Sequence, residues 1–251
     1  MTPGVDVNVW TVFAAATATA LATGLGALPF FVFRRMSRSW LGISNSIAAG
    51  FMLGASAALF WEGADVGIVR TLVGALFGVA FIEVTRRRLG HEHDHLHLGV
   101  LRGADARAGL LIVSVMTVHS FTEGIGVGVS FGGGEALGAF ITAAIAVHNI
   151  PEGLAISLVL VPRGVTAWRA AGWSVFTSLP QPLMAVPAFL LVEWFEPVLP
   201  VGLGFAGGAM VWMVAVGLIP EAREDLSDRF VAAAVTASMA VMVAFQVLVL
   251  A

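Results

Sequence analysis

Residues 119–153 read HSFTEGIGVGVSFGGGEALGAFITAAIAVHNIPEG. The stretch opens and closes on one hexapeptide pattern, His-x-x-x-Glu-Gly, at His119–Gly124 and again at His148–Gly153. Between them lie apolar and small residues, interrupted by Gly132-Gly133-Gly134. Positions i and i+4 of a helix share a face, so each imidazole points the same way as its carboxylate. A short glycine turn makes the two helices antiparallel neighbours, and the same pattern then occurs twice in opposite senses. That is the mark of an inverted repeat with a site near a membrane midplane.

The chemistry of the pair follows from its setting. A carboxylate in hydrocarbon costs about 2.5–3.5 kcal/mol on insertion scales. A divalent cation held by both helices offsets two such costs, with His119, Glu123, His148 and Glu152 as ligands. The plainer alternative is two buried Glu–His pairs that lock the helices together. Duplication in the inverted sense favours the cation, since ionisable residues inside a membrane are functional by default. Asn149 adds an amide beside the pair. Pro151 has no N–H to donate, which frees the carbonyl of Val147 one turn before Glu152. Imidazole with carboxylate suits zinc, iron(II), manganese, nickel or cobalt; an all-oxygen set would suit magnesium or calcium. Zinc leads because it is indifferent to ligand-field geometry, although spacing does not separate it from iron(II).

The membrane reading rests on the whole chain. Of 251 residues, 58% are hydrophobic and 12% charged, and soluble domains carry about twice that charged fraction. Mean hydropathy is +0.92. Apolar runs at about 8–33, 41–61, 66–85, 107–131, 136–161, 167–192, 198–219 and 230–250 predict an all-α membrane protein with eight transmembrane helices. Lipid cannot satisfy open backbone groups, and strand-period alternation is absent. The first run is read as a retained span, because the N-terminus lacks the cationic region of a signal peptide. Residues 1–251 form a single transmembrane domain, with 86–106 as a loop within it.

Charge placement sets the orientation. All 13 cationic side chains are arginine. Twelve of them cluster after run one (Arg34, Arg35, Arg38), between runs three and four (Arg86, Arg87, Arg88, Arg102, Arg107), between five and six (Arg163, Arg169), and between seven and eight (Arg223, Arg229), and only Arg70 sits on the alternate side. Cationic loops stay cytoplasmic, so both termini face outward. Small residues four apart, such as Gly50 and Gly54, Gly74 and Gly78, and Gly204 and Gly208, let helix backbones approach closely. There is no cysteine, which excludes disulfides and thiolate metal cages. No GxxxxGK[ST] motif is present to drive the protein with ATP.

The other four histidines, His91, His93, His95 and His97, alternate with acidic and apolar residues in the cytoplasmic loop. Such tracts are compositional metal-binding candidates. This one is expected to capture ions at the inner side.

The paired motifs resemble the ZIP (Zrt-, Irt-like protein) family of metal-ion transporters. The likeness is strongest from Arg107 to Pro162, where HNIPEG at 148–153 matches the family's fifth-helix pattern and HSFTEG at 119–124 its fourth. Weaker likeness extends to AAGFMLGAS at 48–56 and GFAGGAMVWMVAVGLIPEA at 204–222. Those two stretches are also similar to each other, each a Gly-rich run leading to an acid (Glu62, Glu221).

The resemblance implies a transport site of His119, Glu123, His148, Asn149 and Glu152, and a bundle divided into a scaffold and a moving unit, assembled as a homodimer. Members with two ions carry Asn after the fourth-helix His and Glu in the sixth helix. Here those places hold Ser120 and Gln181, weaker ligands without charge. Met52 corresponds to a methionine that makes a soft contact. Pro180, Pro182 and Pro187 distort the sixth span, so Gln181 either faces the cavity or is satisfied locally.

The function expected is transport of divalent transition-metal ions, zinc first and iron, manganese or cadmium next, into the cytoplasm by alternating access. The expected location is a bacterial plasma (inner) membrane. The metal is cargo; no cofactor, no enzymatic activity and no nucleic-acid partner is expected. Two other readings stay open at this point. One is an intramembrane zinc-dependent hydrolase. The other is a haem protein with His119 and His148 as axial ligands.

Overall fold

The computed structural model describes residues 7–33, 36–37, 39–89 and 104–250. His91, His93, His95 and His97 lie outside the described residues, as do Arg34, Arg35, Arg38 and Arg102. Among the described residues every regular element is helical, and ten α-helices follow one another along the chain.

The sequence sets where each helix starts and stops. Helix α1 (Val9–Leu25) opens at Asn8, whose side-chain oxygen accepts the N–H groups of Trp10 at 2.9 Å and Thr11 at 3.1 Å. Those donors would otherwise be left open at a helix start. The first expected run is not one helix. It bends through Gly26 to Leu28 into a short α2 (Pro29–Val32), because Pro29 has no N–H to continue α1.

Helix α3 (Ser39–Leu89) has 51 residues but a non-helical backbone at Gly67 (φ 178°, ψ 92°). A straight helix of that length would reach about 76 Å, more than twice a hydrocarbon core of about 30 Å. The break falls just inside the run expected at 66–85 and separates most of it from the run expected at 41–61. Helices α4 (Ala104–Gly132) and α5 (Glu135–Leu160) meet at Gly133 and Gly134. Gly134 has φ 129°, which only glycine adopts freely.

The expected sixth run divides at Leu179 into α6 (Ala167–Ser178) and α7 (Pro180–Trp194). Helix α8 (Leu199–Met213) passes through a π turn at Val214–Leu218 into α9 (Ile219–Asp225). The wider turn accommodates Pro220, whose ring would clash with the carbonyl four residues back in a regular helix. Helix α10 (Asp228–Leu250) completes the order.

Six helical stretches among the described residues are long and apolar enough to cross a membrane: Val9–Val32, Ser39–Thr85, Glu135–Arg163, Ala167–Trp194, Glu196–Asp225 and Asp228–Leu248.

The helices pack as two groups. Helix α3 lies along α8, α9 and α10, while α1 lies along α5, α6 and α7, and α4 along α5, α6 and α7. Contacts of α3 with α5 and of α4 with α8 join the groups. Glycines carry the closest approaches. A Cβ on Gly78 would fall on the carbonyl of Phe205, and one on Gly204 on the carbonyl of Thr71. The same holds at both hexapeptides: Gly124 lies against the backbone of Gln181, and Gly153 against that of Thr23. One apolar core runs through the bundle, with Phe140, Met52, Ile141, Ile145 and Leu203 fully buried. A smaller cluster of Met116, Ile156, Leu160, Val165 and Ala170 stands apart from it.

The α3–α8 contact yields a stability prediction. Gly78→Ala forces a methyl into the Phe205 carbonyl and should cost about 1–3 kcal/mol. Gly172→Ala, at a helical glycine with open space around it, should be neutral or stabilising by up to about 1 kcal/mol. Thermal unfolding of the two variants in detergent, compared with the wild type, measures the contrast.

Candidate metal centre

Helix α4 carries His119 and Glu123 one turn apart, and α5 carries His148 and Glu152 at the same spacing. Because the glycine turn folds α5 back along α4, the two pairs face each other. All four side chains are buried, with residue exposures of 1%, 0%, 0% and 4% in chain order. One ligand atom from each lies within 4.8 Å of the others.

The contacts cross between the helices. His119 Nε2 stands 2.8 Å from Glu152 Oε1 and 3.3 Å from Glu123 Oε1. His148 Nε2 contacts the same Glu123 Oε1. This oxygen therefore sits between the two imidazoles.

Two observations indicate what the cluster can do. First, His119 Nε2 has the distance of a hydrogen bond to Glu152 but not its direction, and it has no hydrogen-bond partner. In a tetrahedral shell with metal–ligand bonds of about 2.0–2.1 Å, ligand atoms stand about 3.3 Å apart. The longer separation at His119, 3.3 Å, matches that value and the shorter, 2.8 Å, falls below it, so the donors are gathered about a point as much as paired. Second, Glu123 and Glu152 are the only buried carboxylates among the described residues, and no described arginine is buried. Two negative charges thus lie inside the protein without a fixed cation. A divalent ion would supply the balancing charge.

The geometry disfavours the other two readings. A haem would need its macrocycle between the imidazoles, where Glu123 Oε1 lies. A hydrolase would need a general base besides its ligands, and no third carboxylate is buried among the described residues.

A second layer of polar groups adjoins the cluster. The side chain of Gln181 is fully buried in the first turn of α7, and its Nε2 donates to Glu123 Oε2 at 2.6 Å. Its Oε1 accepts from Thr19 Oγ1 at 2.5 Å and from Asn149 Nδ2 at 3.3 Å. Asn149 Nδ2 also donates to the Thr19 carbonyl at 2.8 Å. Ser120 Oγ and Asn149 Oδ1 are buried without hydrogen-bond partners. Met52 is fully buried in the main apolar core.

Sequence reasoning missed Thr19. The available signal was the pair Thr19 and Thr23, one turn apart in an otherwise apolar run, and both are buried. Thr23 Oγ1 lies 2.7 Å from Ser178 Oγ on α6.

Comparison with known proteins agrees with this chemistry. The sequence profile of the ZIP zinc transporter family matches residues 82–250. That region contains all four cluster residues, Ser120, Asn149 and Gln181, and it begins beyond Met52. The chain is 48% identical over 245 residues to a putative zinc transporter of Arabidopsis thaliana, covering 96% of this chain and 39% of that protein. It is 34% identical over 226 residues to zinc transporter GufA of Myxococcus xanthus, covering 83% of this chain and 87% of that protein. It is 29% identical over 244 residues to zinc transporter ZupT of Corynebacterium glutamicum, at 88% and 92% coverage. The chain therefore spans well under half the length of the plant relative and most of the length of the two bacterial ones.

Removing one ligand charge tests the centre directly. Glu123→Gln should weaken zinc binding to the purified protein by more than about 100-fold, beyond the 10–100-fold losses typical of outer-shell changes. Equilibrium dialysis with radioactive zinc measures it.

Proposed function

The chain belongs to the ZIP zinc transporter family, and from that premise we propose that it moves divalent transition-metal ions, zinc foremost, into the cytoplasm through the His119–Glu123–His148–Glu152 centre. It is an integral membrane protein, and the metal is its transported substrate rather than a cofactor. The observation that carries the reading is the meeting of two carboxylates and two imidazoles in a buried cluster, with no arginine buried among the described residues. The matched relatives are named transporters, which leaves the hydrolase reading without support.

The proposed topology has eight crossings: α1 with α2, the two halves of α3 divided at Gly67, α4, α5, α6 with α7, α8 with α9, and α10. Exposed tryptophans support it. Trp10, Trp61 and Trp194 lie at helix ends on one side, and Trp40 and Trp168 on the other. Tryptophan concentrates at the two membrane interfaces. Phe31 packs edge-on against Trp168 at 4.9 Å, which joins the end of α2 to the start of α6. With arginine-bearing connections inside, both termini lie outside and 86–106 is the inner loop. Residues 1–251 act as one transport domain. Bacterial relatives matched over most of their length support a bacterial plasma membrane. A homodimer follows from the family resemblance.

The proposed route runs from outside to inside. A hollow of about 270 Å³ at the α4–α5 turn, lined by Glu135 and Glu193 among others, receives the ion. The ion exchanges water for the four ligands, of which the imidazoles must be neutral and the carboxylates ionised. The group of α1 and α4 to α7 then shifts against α3 and α8 to α10. On the inner side, the small apolar cluster around Met116, Ile156 and Leu160 opens, and the ion passes toward His91, His93, His95 and His97. Protons compete for the same ligands and assist release.

The expected outcome for Glu152→Ala is loss of zinc uptake into proteoliposomes by at least about 100-fold, with the monodisperse elution of the wild type retained. Undiminished uptake by that variant contradicts the assignment of this centre as the transport site.

A further inference from the structure

We infer that Gln181 is a positioning residue that withholds one oxygen of Glu123 from the metal and thereby sets the centre to hold a single divalent ion. The inference rests on the transport-site reading above and deepens it.

The surroundings of Gln181 set the orientation of its amide. Gln181 Nε2 donates to Glu123 Oε2 at 2.6 Å. Its Oε1 faces donors on two other helices, Thr19 Oγ1 at 2.5 Å and Asn149 Nδ2 at 3.3 Å. The reversed amide would place an oxygen against the carboxylate and an NH₂ against the Asn149 NH₂. Both contacts are repulsive, so the surroundings fix the orientation. The side chain is fully buried, and its backbone is seated tightly against Gly124, where even a Cβ would overlap Gln181. Pro180 and Pro182 on either side restrict the chain further.

The consequence falls on Glu123. Its Oε2 is occupied by the amide, and its Oε1 is the oxygen that both imidazoles approach. Glu123 is therefore presented as a one-oxygen ligand. A carboxylate bridging two ions, one on each oxygen, would have to bring a cation to an oxygen that already faces the positive end of the Gln181 amide dipole.

Charge balance points the same way. With neutral imidazoles the buried cluster carries the two negative charges of Glu123 and Glu152. One divalent ion neutralises them. A second would leave two uncompensated positive charges in a site whose remaining polar groups, Ser120, Asn149, Thr19 and Gln181, are all neutral. Uncompensated buried charge costs several kcal/mol per ion. Gln181 thus gives Glu123 Oε2 the hydrogen bond that a second cation would otherwise satisfy by coordination, without adding charge.

The test uses the full-length protein in detergent, loaded with zinc and freed of excess. Zinc per chain is counted by elemental mass spectrometry, and coordination is read by X-ray absorption at the zinc edge. The wild type should hold one zinc, bound by two imidazole nitrogens and one oxygen from each carboxylate. Gln181→Met keeps the volume and loses the donor; it should still hold one zinc but gain an oxygen ligand as Glu123 becomes bidentate. Gln181→Glu supplies a third negative charge and should raise the content to two. Two zinc ions on the wild type, unchanged coordination in Gln181→Met, or a single zinc on Gln181→Glu each overturns the role of Gln181. No zinc on the wild type overturns the transport-site reading instead.

Discussion

Two carboxylates buried inside a helix bundle with no arginine buried among the described residues are the constraint on which the rest of the structure turns. Glu123 and Glu152 are held at 0% and 4% exposure. Their neighbours are imidazoles and amides, which solvate a carboxylate by hydrogen bonding but do not permanently cancel its charge. Such an arrangement is costly when empty and relieved when a dication arrives. It also sets a useful limit. The donors gathered there are imidazoles and carboxylates rather than thiolates, groups at which protons compete with a metal ion.

The fold serves that constraint by bringing backbones unusually close. Glycines in the two hexapeptides seat α4 against α7 and α5 against α1, and the Gly133–Gly134 turn folds α5 back on α4. Equivalent residues of the repeated motif thus make equivalent contacts with different partner helices. Thr19, Asn149 and Gln181 then tie α1, α5 and α7 together around Glu123 through hydrogen bonds. Helices α3, α8, α9 and α10 form the other group. A bundle divided this way can shift one group against the other while the ligand geometry within the first stays intact.

Much of this was legible in the sequence, and the reasons are physical. His119, Glu123, His148 and Glu152 announce themselves because each polar pair has helical spacing inside an apolar run, where nothing else is charged. The Gly133–Gly134 turn and the close glycine contacts at Gly78 and Gly204 were readable from small-residue spacing. The break at Gly67 was readable only indirectly, as a gap between two apolar runs. The bend at Gly26–Leu28, the division at Leu179 and the π turn at Val214–Leu218 were not located, because prolines mark where a helix is disturbed and not how it recovers. Thr19 was missed because a threonine in an apolar helix ordinarily bonds back to its own turn, and Thr19 Oγ1 indeed also lies 2.7 Å from the Ala16 carbonyl. Gln181 could be placed near the centre from its prolines, but which end of the amide faced the carboxylate required the positions of Thr19 and Asn149.

Anomalous X-ray scattering from crystals soaked in zinc or cadmium tests the account most directly, since it locates the ion without reference to uptake. The account predicts a peak among His119, Glu123, His148 and Glu152, within about 2.0–2.4 Å of a nitrogen or oxygen from each. A centre without density beside peaks elsewhere on the protein, or a peak that touches only one of the two helices, would contradict it.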